Sequence, residues 1–71
     1  MNEMYVKMGE RISFIRVSRG LSREKLAEEV DISPKFLYEI ETGKKGFSVR
    51  ILYDLCEALG VSSKYLMTGE N

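Results

Sequence analysis

Two charged side chains set four residues apart, Lys35 and Glu39, have the types and spacing best suited to reading another molecule. A lysine ammonium donates to guanine O6 and N7, and a glutamate carboxylate accepts from the cytosine N4 amine. Each well-formed contact of this kind discriminates between base pairs by about 1–3 kcal/mol. The same spacing on a helix also suits a plain i,i+4 ion pair on a solvated face, worth about 0.2–0.5 kcal/mol. Ser33 adds a hydroxyl that serves either a base or a phosphate. Arg23 upstream and Lys44 and Lys45 downstream bracket this stretch, where cations would be needed to hold a reading element in register on a phosphate backbone.

Other chemistries are poorly provided for. The chain contains no histidine, which removes the commonest general base and metal ligand together, and its one cysteine has no partner for an internal disulfide. Cys56 falls on an apolar side with no imidazole to activate it, so it reads as a structural thiol. The segment Gly43-Lys44-Lys45-Gly46 is too short and wrongly spaced for a phosphate-binding P-loop. No enzyme, metal site or cofactor is expected. No run of about 18 apolar residues is present for a membrane span, which places the protein in the cytoplasm on this reading.

The charges balance, 11 Lys+Arg against 11 Asp+Glu, so any attraction to a polyanion must be local. Lys7, Arg11, Arg16, Arg19, Arg23 and Lys25 gather toward the start. Lys44, Lys45 and Arg50 follow the reading stretch, and acids concentrate in Glu28, Glu29, Asp31, Glu39 and Glu41.

The elements that must position these residues are all helical. With 71 residues, 44% of them hydrophobic, the chain suits one small domain. Met8, Ile12 and Ile15 recur on one helix face and Gly20 supplies a left-handed stop, predicting a first helix over about 5–19. Ser22 caps a second over about 23–30, on which Leu26 and Val30 share a side and after which Asp31 stands where Gly or Asn is usual. Ser33-Pro34 pairs a preferred N-cap with a proline at the first helical position, opening a third helix that runs to about Glu41 or Thr42. Ser48 opens a fourth, Val49 to Leu59, closed by Gly60, and Ser62-Ser63 cap a last turn or two through Met67. Only Asp31-Ile32-Ser33 separates helices two and three, a tight turn with Ile32 plugging the corner. On the third helix Leu37 and Ile40 point one way while Lys35, Tyr38, Glu39 and Thr42 point the other, and an α-helix fits the major groove.

Taken together, Gly20-Leu21-Ser22-Arg23-Glu24-Lys25-Leu26-Ala27, then Ile32-Ser33, Ile40-Glu41-Thr42-Gly43-Lys44, and Leu55 through Ser62 with Tyr65-Leu66, resemble the Cro/lambda-repressor-like helix-turn-helix family, or XRE family, over nearly the whole chain. The resemblance implies an all-α five-helix bundle, a single domain over 1–71 with its core at about 5–67 and the helix-turn-helix at about 22–42. It implies sequence-specific binding of double-stranded DNA by a small repressor-like transcription regulator. The third helix would lie in the major groove, usually of a homodimer facing two half-sites about one helical turn apart.

By the same resemblance, Pro34, Lys35, Phe36 and Glu39 fall on base-contacting positions. Phe36 is limited to a thymine methyl or sugar, or else packs into the core. Arg23 takes the place of a common Gln and keeps its phosphate role. Arg16 and Glu41 match a pair joining the first helix to the end of the third, a structural role. Asp31 for the usual Gly, and Gly46-Phe47-Ser48 without the usual Pro, depart from the family pattern.

Helix four carries an apolar arc of roughly 200°, wider than the ~100° that one core contact uses. Intramolecular packing is the favoured use of Tyr53, with the remainder, including Phe47 and Met67, available as a dimer surface. A rival reading is a protein-interaction module, such as an antitoxin or anti-repressor component, gripping a partner through Phe36, Tyr38 and Phe47. That reading predicts binding insensitive to salt.

Overall fold

The computed structural model describes residues 2–71, which form five helices: α1 (Glu3–Ser18), α2 (Arg23–Glu29), α3 (Pro34–Glu41), α4 (Val49–Leu59) and α5 (Ser63–Thr68). Each begins on a side-chain cap. The oxygen of Asn2, Ser22, Ser33, Ser48 or Ser62 accepts the backbone N–H of the residue two or three positions on, at 2.8–3.2 Å. Each such cap satisfies one orphan donor and stabilises its helix by about 1 kcal/mol. The cap at Asn2 is why α1 starts at Glu3 and not near residue 5 as the sequence pattern predicts. Helix α2 also stops one residue early, with Val30 as its cap.

Beyond α2 the chain turns on Asp31, the one described non-glycine residue with positive φ (+58°). The N–H groups of Asp31 and Ile32 donate back to the carbonyls of Glu28 and Ala27, which closes the helix as a glycine would. The short side chain of aspartate tolerates the left-handed region better than most, so the departure at this position keeps the tight turn.

The core gathers apolar residues from every helix. Ile12, Leu26, Ala27, Leu37, Ile40, Leu55 and Leu66 are fully enclosed, Val30 and Leu59 nearly so, and Ile32 packs against them at the α2–α3 corner. Helices α1 and α3 approach most closely at Gly9, where a Cβ would overlap the backbone carbonyl oxygen of Ile40 and sit 3.0 Å from that of Glu41. Only glycine lets the two backbones meet there. Gly46 plays the same part in the α3–α4 loop, where a Cβ would lie 2.8 Å from the Tyr5 ring. Tyr5 in turn meets Phe47 edge-on with ring centroids 5.4 Å apart, so this loop is held without a proline.

Arg11 of α1 and Arg19, the residue that caps its end, also tie the helices together. Arg11 donates to the Leu66 carbonyl at 2.9 Å and Arg19 to the Leu59 carbonyl at 2.8 Å, joining α1 and its cap to the last turns of α5 and α4. Carbonyls at helix C-termini lack intrahelical donors and carry the negative end of the dipole, so a cation suits them. The apolar arc of α4 divides differently from the sequence expectation. Ile51, Leu55, Cys56 and Leu59 are buried, but Tyr53 is 63% exposed and Val49 81% exposed. Tyr53 therefore is not taken up by intramolecular packing and stays mostly open to solvent.

Replacing Gly9 by alanine gains helix propensity of about 1 kcal/mol but forces α1 off α3, an overpacking cost of about 1–3 kcal/mol. A lower urea midpoint for Gly9→Ala is expected. A midpoint above that of the parent would show that the two helices do not meet at this carbonyl.

Candidate nucleic-acid interface

Because Leu37 and Ile40 are buried, the opposite side of α3 is turned outward. Lys35 and Thr42 are exposed there, Tyr38 is 41% exposed, and Glu39 is half-buried. Lys35 and Glu39 do not close an ion pair; the ion pairs among the described residues involve Glu41 twice, Lys25 with Glu28, and Arg50 with Asp54. The Lys35 ammonium and Glu39 carboxylate thus remain available to an outside partner. Ser33 spends its oxygen accepting the Phe36 N–H at 3.0 Å, leaving its hydroxyl hydrogen as a donor at the start of α3. Phe36 is half-buried and packs on the core. Packing therefore takes up much of its side chain.

What orients α3 lies at its far end. Glu41 is buried, and its carboxylate takes two hydrogen bonds from Arg16, Nε to Oε2 at 2.7 Å and Nη2 to Oε1 at 3.1 Å. The third comes from Arg23, Nε to Oε1 at 2.9 Å. The Arg16 Nη1 reaches the Leu21 carbonyl at 2.8 Å, so its own donors are well used. One carboxylate therefore joins α1, α2 and α3. Such a fully bonded pair meets the condition under which burying charge is tolerated.

Arg23 differs from Arg16. Its side chain is 37% exposed, and only Nε is committed to Glu41. The terminal nitrogens remain free for an oxyanion, and the guanidinium carbon lies 5.1 Å from the centroid of the Tyr38 ring. The Lys44 ammonium lies 5.3 Å from the same centroid. Lys45 is exposed on the same loop, whose Lys44 and Lys45 N–H groups both donate to the Glu39 carbonyl at 2.8 and 3.3 Å. The outer face of α3 and its bracketing cations Arg23 and Lys44 thus form one continuous surface. Tyr38 is the centre of that surface, a place that periodicity marks only as outward-facing.

Comparison with known proteins agrees with this geometry. Residues 9–71 match the model of the helix-turn-helix domain family. This chain belongs to that family. Among its relatives, the control protein C.BamHI of Bacillus amyloliquefaciens is 33% identical over 67 residues, covering 93% of this chain and 83% of that protein. The uncharacterized HTH-type transcriptional regulator y4dJ of Sinorhizobium fredii is 32% identical over 66 residues, covering 93% and 86%. The HTH-type transcriptional regulator RamB of Mycobacterium tuberculosis is 31% identical over the full chain, which spans only 15% of its length. Among solved structures, the restriction-modification controller protein C.AhdI of Aeromonas hydrophila superposes with a TM-score of 0.85 at 28% identity, covering 92% of this chain and 98% of that one. This family member has the Cro/lambda-repressor-like, all-α architecture that its sequence resembles. No described helix is long and apolar enough to cross a membrane.

Cys56 is buried on α4, away from this surface, and burial, with the Glu57 charge adding to it, pushes its thiol above the ordinary range. Iodoacetamide should modify the folded protein slowly at neutral pH, faster as alkali generates thiolate, and at once in urea. Equal rates at neutral pH with and without urea would contradict the burial. Glu41→Ala leaves Arg16 buried without its carboxylate and should cost about 3–5 kcal/mol in denaturant unfolding. Pairing Arg16→Met with Glu41→Leu should recover part of that loss, since both charges leave together.

Proposed function

We propose that this chain is a small, non-enzymatic transcription regulator that binds duplex DNA sequence-specifically as a homodimer, with α3 in the major groove. The observation that carries the proposal is the outward side of α3, whose Lys35 and Glu39 form no ion pair among the described residues and which is flanked by Arg23 and Lys44. Lys35 and Glu39 read base edges, and the Ser33 hydroxyl donates to a base or phosphate at the groove edge. Phe36, half-buried, contributes at most an apolar contact. Arg23, Lys44 and Lys45 hold phosphates, while Arg16 and Glu41 keep the helix at its angle. The net charge of zero does not oppose this, because the attraction is local: Arg23, Lys35, Lys44 and Lys45 lie on or beside α3.

The relatives support the reading, since their names describe control proteins and transcriptional regulators. Dimerisation fits the α4 face, where Val49 and Tyr53 are exposed beside Leu52 and Met67. A contiguous apolar surface of this kind is more often an interface than a bare face.

Selection of bound duplexes from a random pool, at low and near-physiological salt, tests the proposal. The expected product is a two-fold symmetric motif with half-sites about ten base pairs apart and affinity falling steeply with salt. No enrichment at either salt would remove the DNA-binding reading, and a partner bound without salt dependence would replace it with a protein-interaction module. Lys35→Ala should relax preference at one base position, whereas Lys44→Ala should weaken all duplexes alike and reduce the salt slope by about one unit. Identical effects of the two changes would refute the division between base and phosphate contacts.

A further inference from the structure

The Tyr38 ring is the point where two separately delivered cations meet. Arg23 comes from the first turn of α2 and Lys44 from the loop after α3, and both place their charge within 5.3 Å of its centroid. We propose that Tyr38 is a positioning residue for phosphate binding, holding Arg23 and Lys44 over its face so that both are set before DNA arrives. The inference rests on the DNA-binding reading above and adds to it a role for a residue that makes neither base nor phosphate contact itself.

Three observations support it. Arg23 is anchored on one side only, through Nε to Glu41 at 2.9 Å, so without the ring its terminal nitrogens would turn about that single bond. Lys44 forms no ion pair among the described residues, and its only described side-chain restraint is the ring. Tyr38 is 41% exposed and shares the outward side of α3 with Lys35, so the core does not account for an aromatic there. The face of an aromatic ring attracts a guanidinium or ammonium without neutralising it, which keeps the full charge for the phosphate. A carboxylate in the same place would hold the cations equally well but would repel the backbone they are to bind. Ordering long side chains in the free protein removes part of the entropy cost that binding would otherwise bear.

The test uses the full chain and a duplex carrying the selected motif, beside a scrambled duplex. Tyr38→Phe keeps the ring and should bind both duplexes as the parent does. Tyr38→Leu should weaken both by the same factor, about threefold to tenfold, with base preference unchanged. In a double-mutant cycle the leucine effect should shrink when Lys44 is replaced by Gln, because one of the held cations is already gone. Full additivity of the two changes would overturn the proposal, as would loss of base preference in Tyr38→Phe, which would make the hydroxyl a base reader. A measurement on the free protein guards against misfolding of a variant. Ring currents should shift the Lys44 ε-methylene protons upfield in the parent, and ordinary shifts there would also overturn the proposal. If the parent enriches no duplex, the DNA-binding reading fails and this role with it. Parent binding with an additive cycle sinks the role of Tyr38 alone.

Discussion

A carboxylate cannot be taken out of water unless its lone pairs are met by donors, and the Glu41 side chain, almost wholly enclosed, obtains those donors from two arginines on two other helices. That requirement sets much of the geometry around it. Arg16 must point from α1 toward the end of α3, and Arg23 must begin α2 within reach of the same oxygen. Helices α1 and α3 can approach closely enough only because Gly9 has no side chain between them. The angle at which α3 presents its outer face therefore follows from a buried charge with one satisfying arrangement, in addition to the apolar packing of Leu37 and Ile40.

A chain of zero net charge can still hold a locally basic surface, because its cations are unevenly placed and unequally committed. Arg11, Arg16 and Arg19 have their guanidinium groups turned onto carbonyls or Glu41 of the fold. Arg23 gives Nε to the fold and keeps the rest. Lys35, Lys44 and Lys45 remain outside, beside or after α3. The field near α3 is thus unlike the field of the whole molecule, and short-range cations of this sort act within a Debye length of about 8–10 Å.

The helices were legible in the sequence for local reasons. Serine caps, the Ser33-Pro34 start, and the stops at Gly20, Asp31, Gly43 and Gly60 act through hydrogen bonds and dihedral angles within a few residues, so they can be recognised without the tertiary structure. The two departures have different causes, one local and one tertiary. Asn2 lengthened α1 because a cap before the first apolar residue carries no periodic signal. Tyr53 was misplaced because periodicity shows that a side of α4 is apolar but not how much of it a six-residue α5 can cover.

The amino-acid sequence by itself determined the five helices, which side of α3 is apolar, the family, and the residue types available for reading bases and holding phosphates. Only the tertiary structure decided how those residues are spent: Arg11 and Arg19 on carbonyls, a second arginine, Arg23, on the Glu41 that the resemblance already joins to Arg16, Lys35 and Glu39 without an ion pair among the described residues, and Arg23 and Lys44 over one ring. The reason is physical. Helix caps and amphipathic faces are set by interactions within a few residues, whereas the partner of a long charged side chain lies up to 55 residues away in the chain, as in Arg11 with Leu66, and exists only once the helices have packed.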